Sequence, residues 1–290
     1  MRFITVSIVS IMMSWPALAG DWGGSLAVRS VYNDFHIYYD ERSSSAGLQA
    51  TFDELALTGT YSFNKNSIAV QVASSSDPDF DNFWGGSGAW DANGNPCTPA
   101  SCPFTAERSD FNLTYTRQLS NGLSAFTGFY SGSVSWEETA GRKFREAAGN
   151  NVQISNICEA NGQSVETKVE FENENFGVFV GGAYTRRLTD RLFGTVKLAL
   201  ILDGEADVSE KFSCAGGVTP LIGDTGSLFE GTASSFGLSG YYVINDWSGL
   251  NFAYDTKEFS YDNGIDYWSG GTARTEESVD ITSLSYVINF

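Results

Sequence analysis

The chain has 290 residues and a formal net charge of −18, with 35 acidic against 17 basic side chains. Nucleic-acid binding depends on Lys and Arg neutralising phosphates, so this excess of acidic groups argues against a nucleic-acid partner. Glycine is frequent, with 31 residues, and 14% of the chain is aromatic. One all-β domain fits these values, because barrels and sandwiches often reach roughly 200–250 residues without division.

The first twenty residues have the pattern of an export signal. Arg2 precedes an apolar run from Phe3 to Met13, and Ala17-Leu18-Ala19 gives the small-residue pattern of a cleavage site. The apolar run is too short to span a bilayer as a helix. We therefore expect a signal peptide over residues 1–19 and a mature domain over residues 20–290.

The rest of the chain repeatedly alternates between apolar and polar side chains, as strands do when one side faces an apolar phase. In the last segment, for example, Leu284, Tyr286 and Ile288 alternate with Ser283 and Ser285. Ten such segments occur, at 24–39, 48–63, 67–76, 108–119, 123–136, 166–187, 191–202, 232–244, 249–259 and 276–290.

The connections between these segments alternate in length. Short connections lie at 64–66, 120–122, 189–190 and 245–249, and long ones at about 40–47, 77–107, 137–165, 203–231 and 260–275. A transmembrane barrel has tight turns at one end and long loops at the other, so short and long connections alternate along its chain. Nothing in the architecture of a β-sandwich requires this alternation. We predict an all-β fold, a transmembrane antiparallel up-and-down β-barrel of about ten strands.

The sixth segment leaves the strand count open. Val169 and Phe171 occupy odd positions, whereas Phe176, Val178 and Val180 occupy even positions. A β-bulge would shift the phase and keep ten strands, and we favour it. A hairpin at the sequence ENEN would instead give twelve strands.

Five charged residues are expected to point into the barrel: Arg29, Glu54, Lys197, Asp255 and Lys257. Charges inside a wall surrounded by lipid persist only where water or partners satisfy them, so these residues indicate an internal salt-bridge network or a polar constriction. Barrels of about eight strands are filled by their own side chains, and those of about sixteen leave an aqueous channel. Ten strands therefore predict a narrow pore at most.

Four cysteines in an exported chain predict two disulfides. Cys97 and Cys102 share one loop segment rich in Pro, Gly and Asn, and Cys158 and Cys214 lie alone in two others. We favour the local pair plus Cys158–Cys214, with the other two connectivities open. A zinc site is not expected, since no histidine lies nearby and the chain has no pair of C-x-x-C motifs.

Catalysis by a barrel of this size would be expected to use a histidine that activates water or a serine. The only histidine, His36, lies near Asp34 towards the end of the first predicted strand. No G-x-S-x-G or other nucleophile motif accompanies it. We predict a non-enzymatic protein without catalytic residues, metal or cofactor, and a hydrolase that uses His36 is the less favoured alternative.

The chain ends on Phe290, after an alternation that includes Tyr286 and Ile288. In this ending, and in its strands and loops, the mature chain resembles bacterial outer-membrane β-barrel proteins. The resemblance implies a location in the outer membrane, contact with its lipid and lipopolysaccharide, and recognition of the last strand by the barrel assembly machinery. From the strand count, the inner charges and the long loops, we predict a narrow porin-like channel, ranked slightly first, or a structural barrel that displays disulfide-bonded extracellular loops. The alternative is a surface adhesin or ligand-binding barrel, with a small solute or an extracellular ligand as its partner.

Overall fold

The structure, a computed structural model, describes residues 21–39, 44–76, 79–84, 104–120, 122–140, 143–145, 151–153, 167–214, 225–265 and 272–289. The signal peptide expected at 1–19, three of the four cysteines (Cys97, Cys102 and Cys158) and Phe290 lie outside these residues. Predictions made for them stay predictions. Among the described residues, no helix has the length and apolar character needed to cross a membrane.

The described residues form thirteen strands. In chain order they are β1 (Asp21–Tyr39), β2 (Ser44–Phe63), β3 (Asn66–Ser76), β4 (Asp79–Trp84), β5 (Phe104–Ser120), β6 (Leu123–Ala140), β7 (Lys143–Arg145), β8 (Asn151–Gln153), β9 (Thr167–Arg187), β10 (Leu192–Cys214), β11 (Thr225–Asn245), β12 (Ser248–Ile265) and β13 (Thr272–Asn289).

Ten of these strands form one closed barrel. They pair in the order β1-β13-β12-β11-β10-β9-β6-β5-β3-β2, and β2 pairs again with β1 in antiparallel register. β4 pairs with the loop-side end of β2, from Gly47 to Thr51, and β7 pairs with β8 in a separate two-stranded sheet. The predicted antiparallel barrel of ten strands is confirmed, and the alternative of twelve is wrong.

An apolar band surrounds the outside of the barrel. On β1, Leu26 and Val28 point outwards and are 52% and 61% exposed, whereas Ala27 between them is buried. Further exposed members of the band are Leu55, Leu113, Phe129, Val178, Leu198, Leu238, Phe252 and Leu284. A continuous apolar surface of this kind faces lipid in a transmembrane barrel.

Aromatic side chains border the band at the tight-turn end. Tyr184, Tyr242 and Trp247 are all largely exposed there. The rings of Trp22 and Tyr61, on the neighbouring strands β1 and β2, lie 4.7 Å apart. Such rings, apolar in body and polar at one edge, favour the boundary between lipid and water.

The sixth predicted segment, 166–187, corresponds to one continuous strand, β9, and the bulge predicted for it is wrong. β9 pairs with β6 without a register shift. The irregularity lies in β10, between Ile201 and Asp203. Along β9, the apolar residues change between odd and even positions because the strand leaves the apolar band. Beyond the band, the outer face of β9 carries the exposed Glu172 and Glu174.

Several strands extend further on the loop side than the sequence predicted. β10 continues to Cys214 and β11 begins at Thr225, so most of the predicted loop 203–231 is a paired extension. The inner face of this extension is apolar, with Ala206 and Val208 buried. The inner face is thus apolar in this extension but polar in the apolar band. The sequence pattern of a lipid-facing strand therefore ends before the strand itself does.

Gly122, in the turn between β5 and β6, has a positive φ of 77°. A Cβ at this position would lie 2.2 Å from the carbonyl oxygen of Thr185. We therefore expect Gly122→Ala to lower the free energy of unfolding by about 1–3 kcal/mol, measured by reversible urea unfolding in detergent micelles. Gly240→Ala is the control, since its Cβ would meet nothing within 4 Å. Equal losses in the two variants would contradict this account.

Candidate functional site

The interior of the barrel is filled across its middle by side chains from most of its strands. On the loop side, buried apolar residues pack together, and the rings of Phe35 and Trp136 lie 6.0 Å apart. Along β1 and β2 towards the tight turns, Arg29 and Glu54 come next, and both are buried. A layer of charged side chains therefore lies between the apolar packing and the tight-turn end.

Five residues form this layer, and each is at most 4% exposed: Arg29, Glu54, Arg108, Asp110 and Glu277. We refer to them as the charged cluster. They are placed on the inner face by the same alternation that turns Val28 and Leu55 outwards to the apolar band. Four strands, β1, β2, β5 and β13, contribute to the cluster.

Arg29 contacts two carboxylates of the charged cluster, and Arg108 contacts three. Arg29 Nη2 lies 3.0 Å from Asp110 Oδ2, and Arg29 Nε lies 3.4 Å from Glu54 Oε2. Arg108 Nη2 lies 3.0 Å from Asp110 Oδ1, and Arg108 Nε lies 3.3 Å from Glu54 Oε1. Arg108 Nη1 also lies 3.5 Å from Glu277 Oε1. The two arginines thus share the same two carboxylates and join the cluster across the lumen.

Neutral polar side chains complete the contacts of the charged cluster: Asn33, Tyr130, Asn173 and Asn175. The Tyr130 hydroxyl donates to Asp110 Oδ1 at 3.0 Å, and Asn173 Nδ2 donates to Glu277 Oε2 at 3.1 Å. Asn33 Oδ1 accepts from the Arg108 guanidinium, and Asn175 donates to Glu277. With these residues, β6 and β9 also hold the cluster, so six of the ten barrel strands meet in it.

A buried group of this kind depends on all of its partners. Moving charges out of water costs several kcal/mol per ion, and their mutual contacts offset this cost only while each charge keeps its counterpart. Removing one partner from a buried pair typically costs about 3–5 kcal/mol. The charged cluster therefore fixes the relative positions of strands that are distant in the sequence.

Three further charged residues lie on the tight-turn side of the charged cluster. Lys197 Nζ lies 2.6 Å from Asp255 Oδ1, and this pair is partly exposed. Lys257 Nζ lies 4.0 Å from the centre of the Tyr130 ring, a cation–π contact. The structure thus places Arg29 and Glu54 within the cluster, and Lys197, Asp255 and Lys257 beside it.

Sequence reasoning missed three members of the charged cluster, Arg108, Asp110 and Glu277. For each of them, the odd or even position in the alternating pattern of its strand indicated the inner face. Arg108 and Asp110 share the parity of Asn112, on the polar face of β5, and Glu277 shares that of Ser283 on β13. Following the inner face of β5 two to four residues back from Asn112, and that of β13 six residues back from Ser283, would have found them.

A cavity of about 460 Å³ lies between the charged cluster and the tight turns. Half of the residues that line it carry hydroxyl or amide side chains, among them Gln71, Asn112, Thr114 and Ser283. It extends to Ser124, two residues after the turn at Gly122. The lumen is therefore an open chamber in its tight-turn half and is packed above it.

His36 lies outside this interior, on the outer face of β1. Its Nε2 lies 2.7 Å from Asp34 Oδ1, and the two side chains are 23% and 27% exposed. Gln49 Nε2 donates to Asp34 Oδ2 at 3.1 Å, and Glu276 lies opposite His36 in the register of β13. The Asp–His pair considered from the sequence is thus present, on the outer wall above the apolar band.

The remaining predicted residues lie at strand ends. Tyr286 and Ile288 are on β13 and pair with Leu26 and Gly24 of β1, so the last strand closes the barrel against the first. Cys214 is the final residue of β10. Because the other cysteines lie outside the described residues, both predicted disulfides stay predictions.

Comparison with known proteins identifies the fold. No protein-family model and no curated protein matches the chain. Among solved structures, it is similar to the outer membrane protease OmpT from Escherichia coli, with a TM-score of 0.58, 11% identity, and coverage of 94% of this chain and 99% of that chain. The fold is that of a bacterial outer-membrane β-barrel.

Two toluene transporters are also similar, more weakly. TodX of P. putida has a TM-score of 0.38 at 12% identity, with 94% of this chain and 91% of that chain covered. TbuX of Ralstonia pickettii has a TM-score of 0.42 at 9% identity, with 97% and 93% covered. At these identities, the similarity to OmpT concerns the fold alone, and the activity has to be argued from the interior of this barrel.

Proposed function

We propose that the protein is a non-enzymatic barrel of the bacterial outer membrane that is closed to solute passage and presents its long loops at the cell surface. The observation that carries this proposal is the charged cluster. Its arginines and carboxylates meet across the lumen, and each of the five residues is at most 4% exposed. A structural, loop-displaying barrel is thereby favoured over a narrow porin-like channel.

The packing on the loop side of the charged cluster supports the same conclusion. Val31, Phe52 and Val279 are fully buried inside the barrel, and the rings of Phe259 and Tyr261 stack with centroids 6.0 Å apart. A solute that crossed the lumen would have to separate both this apolar packing and the charged cluster. Stepwise loss of a buried ion-paired network is costly, so spontaneous opening would be rare.

The orientation follows from the connections. Short turns of outer-membrane barrels face the periplasm and long loops face the outside. The tight turns of this chain, such as Asn64–Lys65, then lie in the periplasm. The ends of β4, β5, β12 and β13 that lead into the long connections then face the external side, where an extracellular ligand or lipopolysaccharide would be met.

An epitope inserted after residue 268 tests this topology on intact cells. Antibody should bind these cells without permeabilisation. The matched control carries the same epitope between Lys65 and Asn66, and its cells should bind antibody only after the outer membrane is permeabilised. Labelling of both variants, or of neither, on intact cells would contradict the proposed topology.

The Asp34–His36 pair is the feature that a hydrolytic function would require. It lies on the outer wall, where its imidazole already contacts the Asp34 carboxylate. We expect His36→Ala to leave hydrolysis of peptide and phospholipid substrates at the level of the wild type, since neither protein should hydrolyse them above background. Wild-type hydrolysis that falls at least tenfold in His36→Ala would overturn the non-enzymatic assignment.

A further inference from the structure

The cavity on the tight-turn side of the charged cluster has the size and chemistry of a ligand site. Its volume of about 460 Å³ falls within the roughly 300–1,000 Å³ usual for small-molecule pockets. Such pockets combine an apolar wall with a few convergent polar groups. Both features are present here, on opposite sides of the same chamber.

The charge of the cavity wall is opposite in sign to that of the chain. Three cationic side chains, Arg29, Lys197 and Lys257, line the cavity against one carboxylate, Asp255, an excess of two positive charges. The three carboxylates of the charged cluster do not line it and face Arg29 and Arg108 instead. Since Lys197 pairs with Asp255, and Arg29 with Glu54 and Asp110, the positive charge of the wall that is left for a ligand is that of Lys257.

One of the cations, Lys257, has capacity for a further partner. It contacts the Tyr130 ring, and no carboxylate of the described residues lies within 4.0 Å of its Nζ. Arg29 is already paired through Nε and Nη2 with Glu54 and Asp110, and its Nη1 is buried. Lys197 is held by Asp255 at 2.6 Å. An anion would therefore be attracted towards Lys257.

One part of the cavity wall is apolar. Phe126 and Phe179 pack edge to face with centroids 6.1 Å apart, and Ile201, opposite Phe179 in the register of β10, also lines the cavity. An inorganic anion has no apolar surface to bury there and would gain no binding free energy from this part of the wall. An anion with an apolar body would bury that body against it, at about 25 cal/mol per Å² of apolar surface removed from water.

We infer that this cavity binds a small organic anion, a carboxylate attached to an apolar body, with the carboxylate at Lys257 and the body against Phe126 and Phe179. The cavity extends to Ser124, near the tight turn at Gly122, so in the proposed topology the ligand would enter from the periplasm. Binding there does not require an open lumen. It is therefore independent of whether the barrel conducts.

Isothermal titration calorimetry of the folded full-length protein in uncharged micelles tests the site, with benzoate as the probe and empty micelles as the blank. We expect saturable binding of one benzoate that weakens as salt is raised. Benzamide, which has the same shape without the charge, should bind at least tenfold more weakly. Inorganic phosphate should also bind at least tenfold more weakly, because it lacks the apolar body.

Substitutions locate the binding. Lys257→Met should weaken benzoate binding at least tenfold, whereas Lys65→Met, which removes an exposed lysine from a tight turn, should leave it unchanged. Asp255→Asn should strengthen binding about threefold or more, because it removes a carboxylate that lines the cavity and holds Lys197. Phe126→Ala should weaken binding of benzoate, and it tests the apolar contact without touching the charges.

Folding of every variant is checked by its heat-dependent gel mobility. If Lys257→Met does not fold, the variants at Asp255 and Phe126 show whether benzoate binds in this cavity. Absence of saturable binding to the wild type would overturn the inference. So would benzoate affinity unchanged by Asp255→Asn and Phe126→Ala, or phosphate binding as tightly as benzoate.

Discussion

Replacing Arg108 with methionine is expected to lower the free energy of unfolding by about 3–5 kcal/mol. Arg108 contacts Glu54, Asp110 and Glu277, and its loss leaves three buried carboxylates with fewer partners. Methionine preserves most of the volume, so the effect reports the lost charge rather than a cavity. The measurement is reversible urea unfolding in detergent micelles, followed by tryptophan fluorescence.

Arg117→Met is the matched control for this variant. Arg117 lies on the same strand, β5, and is exposed near the tight turn. Exposed charges contribute about 0–1 kcal/mol, so this variant should unfold close to the wild type. Arg108→Lys should fall between the two, because lysine keeps the charge but not the planar guanidinium that reaches several carboxylates at once. A loss under about 1 kcal/mol for Arg108→Met would show that the charged cluster does not hold the barrel together.

The second large effect is expected from the loss of Glu54, alone and together with its partner Arg29. Glu54→Leu should cost about 3–5 kcal/mol, because Arg29 Nε and Arg108 Nε both lose their carboxylate. In the double variant Arg29→Met/Glu54→Leu, one positive and one negative charge leave together. The pairs of Arg108 with Asp110 and Glu277 remain.

The double variant is therefore expected to be more stable than the sum of the two single effects predicts, by about 2 kcal/mol or more. Urea unfolding of the wild type, both single variants and the double variant gives this coupling energy directly. Additive effects within about 0.5 kcal/mol would mean that Arg29 and Glu54 act independently, contrary to their contact of 3.4 Å.

The sequence was a good guide to the barrel and a poorer guide to its contents. Alternation along a strand reports which face a residue occupies, so the ten strands, the parity of the loops and the inner face of Arg29 and Lys257 could be predicted. Alternation carries no information on which inner residues meet across the lumen. Arg29 and Asp110 are 81 residues apart in the chain, and Asn173 and Glu277 are 104 apart. Their contact depends on the register of every strand between them.

The errors in strand boundaries have one physical cause. Within the apolar band, the outer face of a strand is apolar and its inner face is polar. Beyond the band, the outer face is polar and the inner face is apolar. The sequence of β9 shows this reversal as a change of parity, which resembles a bulge when only the sequence is read. In β10, a true register shift lies beside the reversal, between Ile201 and Asp203, and the strand continues to Cys214. Period-two patterns thus define the lipid-facing part of a strand and not its full length.

Electrical recording from the wild-type protein in planar lipid bilayers tests the closed lumen most directly. Insertion of the folded protein is established first, by the heat-dependent gel mobility of the same preparation. We predict no stepwise conductance above that of protein-free bilayers, because the charged cluster and the apolar packing above it fill the lumen. Reproducible single-channel steps from the folded wild type would contradict the closed barrel and restore the narrow porin-like channel.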